Sequence, residues 1–152
     1  MNQFKKDLER SHKEEVRFAE YLKSKYKLDV EIAPAVYHPA WDISSTAVTS
    51  NRIITFELKH QDLVSYKDDV IAIESGKWTN NIYQQPCINL TSADYYCITT
   101  TTDDSFQIIP TAELLRYCKE SKAIKKNTII TNDGCVLHLF DRCWLQSKMK
   151  TI

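Results

Sequence analysis

At 152 residues, 43% apolar and 11% aromatic, the chain is long enough to bury a core and too apolar to stay disordered. Its 20 Lys and Arg balance 20 Asp and Glu, so no net charge recruits a polyanion; any such surface must be a local patch or be screened by metal ions. No run is long and apolar enough for a bilayer span, and five cysteines without a Cys-x-x-Cys pair argue against a disulfide framework or a zinc knuckle.

Residues 1–10 are polar and charged, unlike a signal peptide. The cysteines are expected as small buried hydrophobes in a reducing compartment. A soluble, intracellular protein follows as the expectation, cytoplasmic, or in the host cytoplasm if the chain is viral.

Residues 2–27 read as an amphipathic helix, because Phe4, Leu8, His12, Glu15, Ala19, Leu22 and Tyr26 recur at spacings of three and four. Glu15 falls on that stripe, with Glu14 turned about a hundred degrees away. A carboxylate on a buried face is costly unless it is paired or metal-bound. At the stripe's edge it simply reaches water.

Pro34 and Pro39 bracket a short strand or edge segment over residues 30–37. Residues 41–48 read as a second strand, Thr49-Ser50-Asn51 as a polar turn, and residues 53–59 as a third strand. Strand period two puts Ile54, Phe56 and Leu58 on one face and Thr55, Glu57 and Lys59 on the other. Glu57 and Lys59 then stand about 7 Å apart along the strand. In a hairpin the first residue of one strand lies beside the last of the next, which brings Asp42 to Glu57.

Beyond Lys59 a polar loop is expected over residues 60–69, holding Gln61 and Lys67. Residues 70–74 form a fourth strand ending in Glu74, which reads equally as a solvated strand end or a site acid. Residues 78–90, rich in Asn, Gln and Tyr and broken by Pro86, read as loop with one or two helical turns. Thr91-Ser92-Ala93-Asp94 reads as a short helix start with hydroxyl capping. Strands follow over residues 95–100 and 106–109, on either side of an Asp103-Asp104 turn, and a helix over residues 112–122 opens at Pro110-Thr111. Asn132-Asp133-Gly134 between apolar runs signals a hairpin joining residues 128–131 to 135–140. With no repeat or linker, one α/β (α+β) domain over residues 1–152 fits.

Two carboxylates and a lysine suit phosphodiester hydrolysis. Mg²⁺ prefers oxygen ligands and binds through one or two protein carboxylates. It lowers the pKa of a water and screens charge on the phosphate. Lys59 would orient that water, stabilise the transition state or accept a proton, and the Leu58 backbone carbonyl is a further ligand candidate. His12, His38, His60 and His138 form no His-x-x-x-His pair, which argues against a zinc hydrolase. A cysteine nucleophile would need a positioned base, which the sequence does not reveal.

Asp42 followed by Glu57-x-Lys59 at the end of an apolar strand, after a helix bearing Glu15, resembles the PD-(D/E)XK nuclease superfamily. Ile71-Ala72-Ile73-Glu74, Gly76-Lys77 and Thr91-Ser92-Ala93-Asp94-Tyr95-Tyr96 are similar to runs in its small phage-type and Holliday-junction-resolvase-like members. The likeness covers residues 8–100 and leaves 101–152 as a C-terminal elaboration; Trp41 stands where the motif has proline. It implies a restriction-endonuclease-like core, a mixed central sheet flanked by helices, with a C-terminal helix and β-hairpin. It also implies a Mg²⁺-dependent deoxyribonuclease in which Mn²⁺ can substitute. Asp42, Glu57 and the Leu58 carbonyl would be ligands, Lys59 would assist attack, Glu15 would complete the site, and Glu74 is a further metal candidate.

DNA is the implied partner. Gln61 is the candidate to contact the water or phosphate, and Lys67, Lys77, Trp78, Asn80, Asn81 and Gln84 are candidates to touch phosphates or stack on bases, each reading at least as well as solvated surface. With no charge excess, a homodimer joining two local patches along duplex DNA is expected. Endonuclease, exonuclease and junction-resolving activities stay open. The alternative is an inert DNA-binding module that has kept the fold, against which the intact Asp–Glu–Lys set counts.

Overall fold

The computed structural model describes residues 3–34, 41–47, 49–61, 70–84, 91–100, 105–120 and 126–152. The first helix, α1 (Gln3–Tyr26), ends where Lys27 adopts φ 55° and its N–H closes on the Lys23 carbonyl at 3.2 Å. Among the described side chains its buried positions are Phe18, Ala19 and Leu22, while Leu8, His12 and Tyr26 are exposed. Phe18 sets the buried direction: its ring packs edge-on to Phe56 at 5.2 Å and against Phe106 at 4.7 Å. Glu15 still lies on that line, three and four residues before Phe18 and Ala19.

The strands are β1 (Asp29–Ile32), β2 (Ile43–Thr46), β3 (Ile53–Gln61), β4 (Val70–Thr79), β5 (Ile82–Gln84), β6 (Tyr95–Thr100), β7 (Gln107–Pro110), β8 (Lys126–Ile130), β9 (Cys135–Asp141) and β10 (Lys150–Thr151). Two further helices, α2 (Thr111–Glu120) and α3 (Arg142–Lys148), follow β7 and β9. One six-stranded sheet has the order β1-β2-β3-β6-β7-β10, with β3 and β6 parallel and every other pair antiparallel. A second, antiparallel sheet runs β5-β4-β9-β8.

The first sheet is covered on both faces. On one, Ile43, Phe56, Cys97 and Ile108 pack under Phe18, Ala19 and Leu22 of α1. On the other, Tyr96, Ile98 and Ile109 meet Ile71, Ile73 and Phe140 of the second sheet, with Leu114 of α2 and Leu145 of α3. The strand alternation expected for β3 holds: Ile54, Phe56 and Leu58 belong to the α1 side. The described cysteines carry no disulfide; burial lifts the Cys118 thiol to about 12, and Cys143 is exposed.

Several expectations change. The 78–90 stretch is not a loop with helical turns where it is described: β4 runs on through Thr79 and turns at Asn80 and Asn81 into β5. Both asparagines have positive φ, 50° and 62°, the pattern of a two-residue type I′ hairpin that Asn tolerates. Residues 91–94 form no helix. The first strand stops at Ile32, and α3 and β10 are additions to the expected elements. His60 and Gln61 belong to β3 rather than to a loop. Residues 35–40, 62–69 with Lys67, 85–90, 101–104 with Asp103 and Asp104, and 121–125 lie outside the described residues.

Between β8 and β9 the expected turn is present. Gly134 has φ 86°, and an added Cβ there would lie 2.3 Å from the Trp78 carbonyl oxygen, so the position requires glycine. Trp78 N–H donates to the Gly134 carbonyl at 2.9 Å, tying this turn to β4. Among the described residues, no helix is long and apolar enough to cross a membrane.

Candidate active site

Asp42 stands one residue before β2, where that strand leaves β3. Its backbone N–H donates to the Phe56 carbonyl at 2.9 Å, and its carbonyl accepts from the Ala33 N–H at 2.8 Å. The β2–β3 register ends at Ile43 opposite Phe56, and the Asp42 carboxylate takes over as acceptor: Leu58 N–H donates to its Oδ2 at 2.7 Å. The N–H and C=O of one strand residue point to the same edge. The Leu58 carbonyl therefore faces the Asp42 side of β3.

Glu57 lies on the opposite face of β3 from Phe56, beside Tyr96 of the parallel neighbour β6. It is half-buried, and the Thr91 hydroxyl donates to its Oε2 at 3.0 Å. Its carboxyl is pushed from 4.5 up to about 7, by burial first and then by the negative charge of Asp42 and, less strongly, of Glu15. The Thr91 hydrogen bond and the Lys59 ammonium pull the other way. The charges of Asp42, Lys59 and Glu15 thus all reach Glu57. The acids outnumber the single base.

The two helix acids divide. Glu15 is 20% exposed, accepts from or pairs with His12 Nδ1 at 3.1 Å, and its charge is felt at Glu57. Glu14, 13% exposed, holds Arg17 through Nε at 3.1 Å and Nη2 at 2.8 Å. It also lies 3.8 Å from His60 Nδ1, on the α1 side of β3, where His60 contacts Thr99 Oγ1 at 3.2 Å. Glu14 is thus engaged by Arg17 of its own helix and lies toward His60, and Glu15 is the helix acid whose charge reaches Glu57.

A helix laid on an antiparallel β1-β2-β3 meander, a parallel strand beside β3, and an acid pair at the point where β2 leaves β3 together define the core. The architecture is restriction-endonuclease-like. It is similar to the bacterial homing endonuclease I-Ssp6803I, with 11% identity over 82% of this chain and 73% of that chain and a TM-score of 0.49. It is also similar to Hjc of Archaeoglobus fulgidus, a Holliday junction resolvase from an archaeal hyperthermophile. There the identity is 8%, the coverage 85% of this chain and 91% of that chain, and the TM-score 0.36. No family model matches the sequence, and no curated protein does. Both TM-scores lie below 0.5, so the site has to be read from its own residues.

Other candidates stand elsewhere. Glu74 lies in β4 opposite Leu137, and its charge acts on Cys135 rather than appearing at Glu57. Lys77 is 3.6 Å from Asp133, and Asn80 and Asn81 form the exposed β4–β5 turn. Gln84 pairs with Lys77 in β5, and Gln61 ends β3 opposite Thr100. Among the described residues, no three His, Cys, Asp or Glu side chains are gathered closely enough to hold an ion by themselves.

The donor set nonetheless suits a hard cation. Two carboxylates and a strand-edge carbonyl are oxygen donors, and Mg²⁺ binds through one or two carboxylates while keeping several waters. The raised proton affinity of Glu57 records its burial first and then the negative charge of Asp42, and a divalent ion would offset that charge.

Two residues that hold the site, Thr91 and Asp94, are given no site role by the sequence, which offers their run only as a helix start and as part of the resemblance. Asp94 Oδ2 accepts from Thr55 N–H at 2.9 Å and from its hydroxyl at 3.1 Å, which fixes the 91–94 segment beside β3 and puts Thr91 against Glu57. The signal in the sequence is a Thr-Ser-Ala-Asp run of side-chain acceptors, and it reads by itself as a helix cap.

Proposed function

We propose that the protein is a metal-dependent deoxyribonuclease that hydrolyses phosphodiester bonds at Asp42, Glu57 and Lys59. The observation that carries this reading is the mutual field of Asp42 and Glu57, with Lys59 on the same strand face and Glu57 lifted to about 7. Asp42, Glu57 and the Leu58 carbonyl would hold Mg²⁺, or Mn²⁺ in its place, with Glu15 at its periphery. Such an ion supplies an acidified water and screens charge on the phosphate. Asp42 is held in place by the Leu58 N–H, and Thr91 fixes one oxygen of Glu57, leaving the other for the ion. Lys59 stabilises charge that develops on the phosphate or orients the water. Glu74 is assigned no part in this chemistry. DNA is the substrate class, and a homodimer remains part of the proposal.

A second reading, a nuclease-fold module that binds DNA without cutting it, is favoured by one observation, the lack of a three-acid cluster among the described residues. Incubation of plasmid and single-stranded DNA with Mg²⁺, Mn²⁺ or EDTA separates the two. Cleavage is expected with either metal and none with EDTA. Asp42→Asn and Lys59→Met should each lower it by more than about 100-fold, beyond what a lost partner of a metal ligand typically costs, while circular dichroism stays unchanged. Folded protein that cuts nothing in any metal, or variants that cut at the parental rate, would overturn the hydrolytic reading.

A further inference from the structure

The outer half of β4 and all of β5 form a ribbon that runs past the core. Ile71, Ile73 and Ser75 are buried, whereas Trp78 is 45% exposed and Ile82 65%. Gly76 pairs with Val136, and Trp78 lies opposite Gly134, which puts Trp78 on the face of the second sheet that carries Phe140 and meets the first sheet. Ile82 pairs with Thr79, one residue on, and so occupies the other face. The ribbon is apolar on both faces at its end. A second copy docked on the sheet would extend its edge or cover one face, and neither would cover both.

Its chemistry is as one-sided as its shape. None of the 20 Asp and Glu falls within residues 75–93, a stretch that holds five Asn and Gln and one Lys. The Asn80–Asn81 turn exposes both amides at the tip. The base is stiff, because Trp78 N–H is bonded to the Gly134 carbonyl and Gly134 packs onto the same peptide. Lys77 pairs at 3.6 Å with Asp133, both exposed, and an exposed pair of this kind is weak enough to exchange for a phosphate.

We infer that the β4–β5 ribbon is the element that reads duplex DNA, resting on the proposal that DNA is the substrate. The major groove admits a two-stranded β-ribbon. The tip amides of Asn80 and Asn81 match the paired donor and acceptor of an adenine edge. Trp78 and Ile82 face the groove walls and thymine methyls, and Lys77 contacts the backbone. Of the residues expected from sequence to touch DNA, Lys77, Trp78, Asn80, Asn81 and Gln84 thus belong to one pre-formed reader.

The test is the double variant Asn80→Gly/Asn81→Gly, since glycine keeps positive φ at both positions and removes only the amides. Binding is read by anisotropy of a fluorescein-labelled duplex oligonucleotide in EDTA, where no hydrolysis is needed. Affinity should fall about 10- to 100-fold, as loss of bidentate base contacts predicts. Ile82→Thr should weaken it as well, and Lys77→Ala should flatten the salt dependence by about one phosphate contact. Unchanged duplex affinity in the folded glycine and Ile82 variants overturns the inference. So does a two-copy mass that falls to one copy when the ribbon is altered, which would make a second chain the occupant. If the parent cuts nothing but the ribbon variants lose duplex binding, the reader stands and the hydrolytic reading falls; normal cleavage with unchanged binding sinks the ribbon alone.

Discussion

Replacing Glu57 by glutamine probes the site through stability alone. The fold holds the Glu57 carboxyl at about 7 against an ordinary 4.5, through burial first, then Asp42 and Glu15, opposed by Thr91 and Lys59. Between those two values the folded protein keeps a proton that the unfolded chain has released. Stability therefore falls as pH rises across that window. The contribution is fully present below about 4.5 and lost as pH rises through about 7, and a span of about 2.5 in pH corresponds to about 3 kcal/mol. The substituted glutamine side chain fills the same space and never ionises, so the Glu57→Gln variant lacks this loss. Urea unfolding of both proteins in EDTA, from about pH 4 to about pH 9, gives the difference directly. His138 works in the opposite sense, since burial lowers its pKa, but it is common to both proteins and cancels. The variant should gain about 3 kcal/mol on the parent between the two ends. Parallel curves, or a parent that gains on the variant as pH rises, would refute the account of Glu57 as a charge held against the field of Asp42.

Thr91→Val removes a hydroxyl that donates to Glu57 and accepts from Ala93 N–H at 3.2 Å, so the pH window of Glu57 should move upward and stability should drop by about 1 kcal/mol, both restored by Thr91→Ser; urea unfolding against pH reads both. Gly134→Ala forces a Cβ to 2.3 Å from the Trp78 carbonyl at a φ of 86° and should cost at least about 1 kcal/mol in thermal unfolding; an unchanged melting temperature would show that the turn relaxes freely.

What is legible in the sequence is what depends on period and neighbours. Period two assigns the faces of β3 correctly, because Ile54, Phe56 and Leu58 are apolar at every second position and need a core. The β2–β3 hairpin follows from the polar run at residues 49–51, and the β8–β9 turn from Asn132-Asp133-Gly134. The α1 stripe reads as apolar over its whole length, although the buried positions among its described side chains fall in its second half. Helical period alone cannot say where a 24-residue helix overhangs its partner. The β4–β5 ribbon escapes the sequence reading because Asn-Asn is a weaker hairpin signal than Asn-Gly, and Pro86 makes the stretch read as loop. α3 is seven residues long, too short for a periodic pattern, and depends on the Asp141 carboxylate accepting from Trp144 N–H at 2.9 Å.

Asp42 and Asp94 are the residues where local pattern cannot decide. Each immediately precedes a strand that flanks β3, Asp42 before β2 and Asp94 before β6, on opposite edges. Each carboxylate accepts a β3 backbone N–H, Leu58 at 2.7 Å and Thr55 at 2.9 Å, and so extends the ladder past the end of its own strand. A carboxylate ready to accept from a backbone N–H is what a helix cap needs, and the run ending in Asp94 reads as one; its actual donor lies 39 residues away. Only the folded chain selects between the two. The same geometry gives Asp42 a structural duty beside its proposed chemical one. Asp42→Ala would leave the part-buried Leu58 N–H without this acceptor, at a cost of about 1–3 kcal/mol, and would confuse lost stability with lost catalysis. Asp42→Asn keeps an acceptor oxygen and removes the charge, and that makes it the variant whose loss of cleavage speaks for the metal site.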